Sequence, residues 1–308
     1  MEHHEEAPSL KECLHLLATN RPLLMLFLGN IFFVIIKVSE QASFYFAYDA
    51  LFNAKYNGFL DIAKAPGSFL AGIFVPIIIE RLGRKADSKK FYQACCVLGI
   101  VLNGLFALCT YNGIMNKGAG QSVSLLTGLM VIVFSAVVTF PLEFKNLMQK
   151  EMEAETVDYV EWKTGKRVEG TMLSIMSFTG KLEGTLSSFI CLQVLARTGY
   201  VEHTTDVSTL QNHSTLLGLF LMTTVFPMVG YALMLIPMHF YNITGDSHRR
   251  MIKDIMARRA QAGEAAAQEA VAAEAKEAKQ TGKSDVQIHL SCRFTLLFQD
   301  FGHFRPGV

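Results

Sequence analysis

Six stretches of mostly apolar residues, each near the length of a bilayer's hydrocarbon core, leave this chain few ways to fold. They cover about Pro22–Tyr48, Phe59–Ile79, Phe91–Tyr111, Val123–Phe144, Gly170–Ala196 and Thr215–Tyr241. A helix that crosses a bilayer needs about 20 such residues. Backbone groups in hydrocarbon must be satisfied within their own segment, so each run is predicted to be helical. Pro66, Pro76, Pro141 and Pro227 are tolerable in that setting. Burial of all six in a soluble core fails for want of polar cover. Only 18% of the 308 residues are charged, against roughly 25% in soluble domains. The expectation is an all-α integral membrane fold with six transmembrane helices over 22–241, a leading segment 1–21 and a tail 242–308.

Net charge is +1, which gives a nucleic-acid partner no electrostatic support. The placement of charge says more than its sum. Arg81, Arg84, Lys85, Lys89 and Lys90 follow the second run, and Lys145, Lys150, Lys163, Lys166 and Arg167 follow the fourth. Arg249, Arg250, Lys253, Arg258 and Arg259 follow the sixth, while the alternate connections hold only Lys55, Lys117 and Arg197. By the positive-inside rule both termini are expected in the cytoplasm, with the chain multi-pass in the cell (inner) membrane. Asp158–Arg167, ten mostly polar residues, is read as an aqueous loop ahead of the fifth helix. His248–Ala260 has the pattern of a basic amphipathic helix, Glu264–Lys279 is an Ala/Glu/Lys tract, helical or disordered, and 286–308 has no clear period. The six cysteines lack CxxC or histidine-rich spacing, so they are expected to be small hydrophobes, not metal ligands or disulfides. No nucleophile–base pair stands out in the spans, so no enzyme is expected.

Lys181 lies deep in the fifth run. A charge at that depth costs roughly 2.5–3.5 kcal/mol on insertion scales unless it is paired or lines a cavity. Ser174, Ser177, Lys181 and Thr185 fall on one helical face, and Gly180 and Gly184, four apart, leave a smooth surface for another helix. This predicts a polar pathway; the bland alternative is a lysine that snorkels to an interface. Glu183, two residues on, points to a different face. In the first run Lys37, Gln41, Tyr45 and Tyr48 form a polar–aromatic stripe suited to a sugar, or else an outer interfacial belt. Asp61 and Lys64, three apart, are placed to pair with each other.

The segment from Glu155 to Gly170 (ETVDYVEWKTGKRVEG), with Ser177, Phe178 and Lys181 downstream, resembles the signature of the glycoside–pentoside–hexuronide:cation symporters. These are the melibiose-carrier relatives within the major facilitator fold. Asn20–Leu24 and Glu80–Lys85 are also similar to family patterns, and the resemblance covers about residues 8–260. It implies that Lys181 lies near the cation and sugar site, and that Glu155, Asp158, Glu161, Arg167 and Arg84 belong to a cytoplasmic gate. Glu155 stands where relatives usually carry aspartate, and Asn146 where some carry a tryptophan used in sugar stacking. Family members have twelve spans, and the resemblance maps this chain onto the last six. It therefore implies a carboxy-terminal half, with a six-helix amino-terminal half as partner, a sugar or glycoside substrate, the lipid bilayer around it, and no cofactor beyond a coupling cation, Na⁺ or H⁺. The alternative is a non-transporting fragment or a six-helix membrane subunit.

Overall fold

A computed structural model describes residues 10–52, 55–82, 87–116, 121–165, 168–202 and 210–281. The helices among them are α1 (Leu10–Thr19), α2 (Arg21–Tyr45), α3 (Lys55–Leu82), α4 (Ser88–Met115), α5 (Leu125–Thr164), α6 (Glu169–Thr198), α7 (His213–Phe240) and α8 (Gly245–Thr281). The chain divides into a helix bundle, Met1–Met251, and a second unit, Ile252–Val308.

Local chemistry sets the helix ends. Asn20 holds an extended conformation between α1 and α2, with Pro22 in the first turn of α2, where a missing N–H costs nothing. Its amide donates to the Leu16 carbonyl at 2.8 Å, which closes α1. The Ser124 hydroxyl accepts from the Thr127 N–H at 3.2 Å to start α5, and the Asn212 carbonyl oxygen accepts from the Thr215 N–H at 2.7 Å to start α7. α5 and α6 end on left-handed Gly165 and Gly199. α2 finishes in one π-helical turn, Phe46–Ala50.

One sequence expectation changes. The polar run after residue 144 is not a loop: α5 continues unbroken for 40 residues, through Asp158 and Glu161 to Thr164. Lys145 and Lys150, expected in that connection, therefore sit on helix. The six-span count is met only in part. Among the described residues four helical segments are long and apolar enough to cross a membrane: Arg21–Ala50, Ser88–Met115, Leu125–Thr164 and His213–Phe240. α3 and α6 match them in length, with 28 and 30 residues, yet are not among the four. The tract over 264–279 is helical, whereas 286–308 lies outside the described residues.

In the bundle α2 is the hub, packed against both α6 and α7, while α5 packs on α3 and α4. One core gathers Leu26, Phe33, Tyr92, Phe144, Met152 and Tyr231. A second gathers Val38, Phe46, Leu60, Phe106, Val131 and Phe220. Other large apolar side chains point outward; Leu108 is 77% exposed and Phe69 71%. Apolar surface of this extent needs a hydrocarbon solvent.

Candidate functional site

α6 separates its polar residues onto two faces. Ser174, Ser177, Lys181 and Thr185 are all exposed, while Thr179, Glu183 and Ser187 are buried on the other side. The Ser174 and Thr185 hydroxyls donate to carbonyls one turn back, Gly170 at 2.9 Å and Lys181 at 3.0 Å, which removes the cost of carrying them on a helix. A side chain added at Gly180 or Gly184 would meet nothing within 4 Å. Leu173 and Phe178 flank this open face. No ion-pair partner for the Lys181 ammonium is found among the described residues.

Glu183 takes Lys37 instead. The Lys37 Nζ lies 3.4 Å from the Glu183 carboxylate, tying α2 to α6. Beside this pair is Lys145 of α5, fully buried, with its ammonium 3.8 Å from the centre of the Phe33 ring. The Lys145 Nζ donates to Gln149 at 3.3 Å, and the Gln149 amide donates to Asn30 at 2.7 Å and to Glu153 at 3.1 Å. Three helices thus share one interior polar network. Sequence reasoning placed Lys37 in a substrate stripe and Lys145 in a loop, and did not single out Asn30. The spacing Lys145–Gln149–Glu153, four residues apart throughout, was the available signal.

The remaining stripe of α2 does not converge. Gln41 is exposed, and the Tyr45 ring stands edge-on to Tyr200 at 5.4 Å, packed against the second core. The Tyr200 hydroxyl bonds the buried Asp49 carboxylate, and burial raises its pKa above the ordinary tyrosine value. A different face of α2 lines a cavity of ≈ 270 Å³ with α3, α4, α5 and α7, close to the roughly 300–1,000 Å³ of small-molecule sites. Ser39, Glu40, Ser43, Lys64, Ser68 and Glu143 line it. As the sequence spacing suggested, Lys64 pairs with Asp61, at 3.6 Å; it also donates to Ser43 at 3.4 Å. The Ser68 hydroxyl donates to Glu143 at 3.1 Å. A second cavity, ≈ 440 Å³ between Phe74, Phe91, Leu98 and Phe144, is apolar throughout and offers a polar ligand nothing.

Of the residues expected at a cytoplasmic gate, Glu155, Asp158 and Glu161 sit at the far end of α5. Glu155 is buried, accepting from Ser88 at 2.7 Å and from Tyr241 at 3.4 Å. Lys89 donates to the Tyr241 carbonyl at 2.6 Å. The Asp158 carboxylate lies 3.0 Å from the His248 ring nitrogen; this hydrogen bond raises the His248 pKa above its ordinary value, against the opposing effect of burial. Glu161 is buried near the end of α5. Arg84 and Arg167, the expected basic partners, lie outside the described residues.

Long apolar helices with charge held inside the bundle define a multi-pass membrane protein. Residues 2–245 match the family model described as MFS/sugar transport protein, so the chain belongs to that major facilitator family of transporters, not to an enzyme family. It is 25% identical over 253 residues to the uncharacterized symporter YjmB of Bacillus subtilis, covering 82% of this chain and 50% of that protein. It is 27% identical over 240 residues to the uncharacterized symporter YnaJ of the same organism, covering 77% and 46%. To a glucuronide carrier protein homolog of Escherichia coli it is 24% identical over 250 residues, covering 80% and 50%. The chain spans about half the length of the curated relatives it matches.

Proposed function

We propose that this chain is the carboxy-terminal six-helix half of a sugar:cation symporter, completed by an amino-terminal six-helix half. On this reading α3 and α6 also cross the inner membrane, making six crossings with both termini cytoplasmic. α3 and α6 are less uniformly apolar than the others because they carry the charges that face a watery cleft between the halves. Substrate and a coupling cation, Na⁺ or H⁺, bind in that cleft, and rocking of the halves alternates access.

The observation that carries this reading is the exposed stripe of α6. An ammonium with no ion-pair partner among the described residues, hydroxyls and two bare glycines on a bilayer-length helix make no sense against lipid. They suit a partner bundle that brings a carboxylate opposite Lys181. Asp158, Glu155 and Glu161, with Arg84 and Arg167, contribute to closure on the cytoplasmic side. In vesicles from cells producing both halves, labelled-glycoside uptake should depend on a sodium or proton gradient. Lys181→Ala should abolish that dependence while the chain still inserts. Unchanged gradient-driven uptake by that variant would remove Lys181 from the mechanism.

A further inference from the structure

On α7, Val229, Ala232, Ile236 and Phe240 are all exposed. Steps of three, four and four residues put them on one helical face, an apolar ridge that ends with the helix itself. Other residues of α7 make its packing: Gly230 meets Ile36 of α2, and Tyr231 meets Gly99 of α4. None of the ridge belongs to α6, whose open face is assigned above to the other half. At the foot of the ridge stands a cation. The Arg21 guanidinium lies over the Phe240 ring, 6.0 Å from its centre. Arg21 is exposed, and among the described residues it has no ion-pair partner. It opens α2, whose N-terminus carries no side-chain cap, so the helix dipole adds positive potential at the same place.

A second cation is fixed by the turn that follows α7. Lys89 of α4 donates to the His239 carbonyl at 3.1 Å and the Tyr241 carbonyl at 2.6 Å. Tyr241 and Ile243 are buried, the Ser247 hydroxyl accepts from the Thr244 N–H at 2.8 Å, and Met251 joins the first core. The start of α8 is thereby pinned just beyond the end of α7. Arg250, in its second turn, is exposed and has no ion-pair partner among the described residues. Asp246, Asp158 and Asp87 are engaged by Arg249, His248 and Lys90.

We propose that this end of α7 binds one anionic phospholipid, an acyl chain along the Val229–Phe240 ridge and the phosphate on Arg21, with Arg250 adding to the positive field. This uses the orientation proposed above, which sets this end of α7 at the inner leaflet. A guanidinium meets a phosphate with two parallel hydrogen bonds, and the Phe240 ring beneath Arg21 restrains the side chain beforehand. Hydrocarbon alone gives no preference, because the acyl chain exchanges one apolar solvent for another. Headgroup charge decides: each basic residue near the surface favours an anionic lipid by roughly fivefold. An acidic protein segment would meet the same cations, but the ridge runs up a bilayer-length helix, where a polar chain cannot follow.

Native mass spectrometry of the full chain, titrated with phosphatidylglycerol or net-neutral phosphatidylethanolamine of identical acyl chains, tests this. The first phosphatidylglycerol should bind roughly fivefold or more tightly. Arg21→Gln should cut that preference severalfold, while Arg21→Lys, which keeps the charge, should retain most of it. Arg197→Gln, in the last turn of α6 at the other end of the bundle, should leave it unchanged. A photoreactive group on the acyl chain of phosphatidylglycerol should label residues 229–240. Equal binding of the two lipids, a preference that survives Arg21→Gln or falls equally with Arg197→Gln, or label confined to other helices overturns the site. Displacement of the lipid by a soluble oligoglutamate also overturns it, and would mark the surface as one for acidic protein. Protease accessibility of the tail in inverted vesicles judges the orientation separately: a tail on the outer side sinks the topology, whereas loss of the lipid preference leaves it standing.

Discussion

Lys37 and Glu183 show how a helix bundle keeps charge within bilayer-length elements. Each neutralises the other across α2 and α6, with Glu183 the more deeply buried of the two. Removing one partner strands the other, so Glu183→Ala should destabilise the bundle by on the order of 2 kcal/mol, less than a fully buried pair because Lys37 is partly exposed. The double variant Lys37→Leu with Glu183→Leu should recover most of that loss. Thermal unfolding in detergent measures both, and a double variant weaker than either single one contradicts the assignment. A sequence reader sees both residues but cannot pair them, because they are 146 positions apart and meet only through packing. The pair of His248 with Asp158 adds a pH dependence. Its histidine pKa is raised in the folded state, so the stabilisation is complete below the unfolded value of roughly 6.5 and is lost as pH rises through the higher folded value. Hydrogen exchange at the start of α8 should therefore quicken, beyond the intrinsic rate, as pH is raised through that window. Asp158→Asn should remove the pH-dependent part.

At the scale of elements, α5 departs furthest from expectation. Hydropathy ends near Phe144, and a reading by hydropathy ends the helix there. The following residues, rich in Glu and Lys with Leu, Met and Gln among them, are nonetheless good helix formers, so the helix runs on until Gly165 stops it at φ 72°. That stop was legible as a glycine after a polar helical run; the continuity was not, because apolarity and helicity are separate properties. Gly165→Ala forces a Cβ into the left-handed region and should cost about 1 kcal/mol. The fall in melting temperature checks it, and an unchanged value would mean that the cap relaxes freely. Gly99 acts by closeness of approach. With the Tyr231 ring in the way of any Cβ, Gly99→Ala should overpack the α4–α7 contact by about 1–3 kcal/mol.

For the whole molecule, the open face of α6 separates folding from assembly. A side chain added at Gly184 would meet nothing within 4 Å, so Gly184→Leu should leave the chain's own melting temperature unchanged, within about 0.5 kcal/mol. The same change should prevent co-purification with the amino-terminal half. Destabilisation of the chain alone would show that this face is already occupied within the bundle. The sequence by itself determined the all-helical membrane class, the family signature around Glu155–Lys181 and the polar stripe on α6. Hydropathy, local motifs and the 3.6-residue period are all properties of neighbouring residues. Only the tertiary structure decided that Glu183 belongs to Lys37, that Lys145 is buried on Phe33, and that Glu40 and Glu143 share a cavity. Those facts depend on which helices lie side by side, and contacts between residues a hundred positions apart leave no local pattern to read.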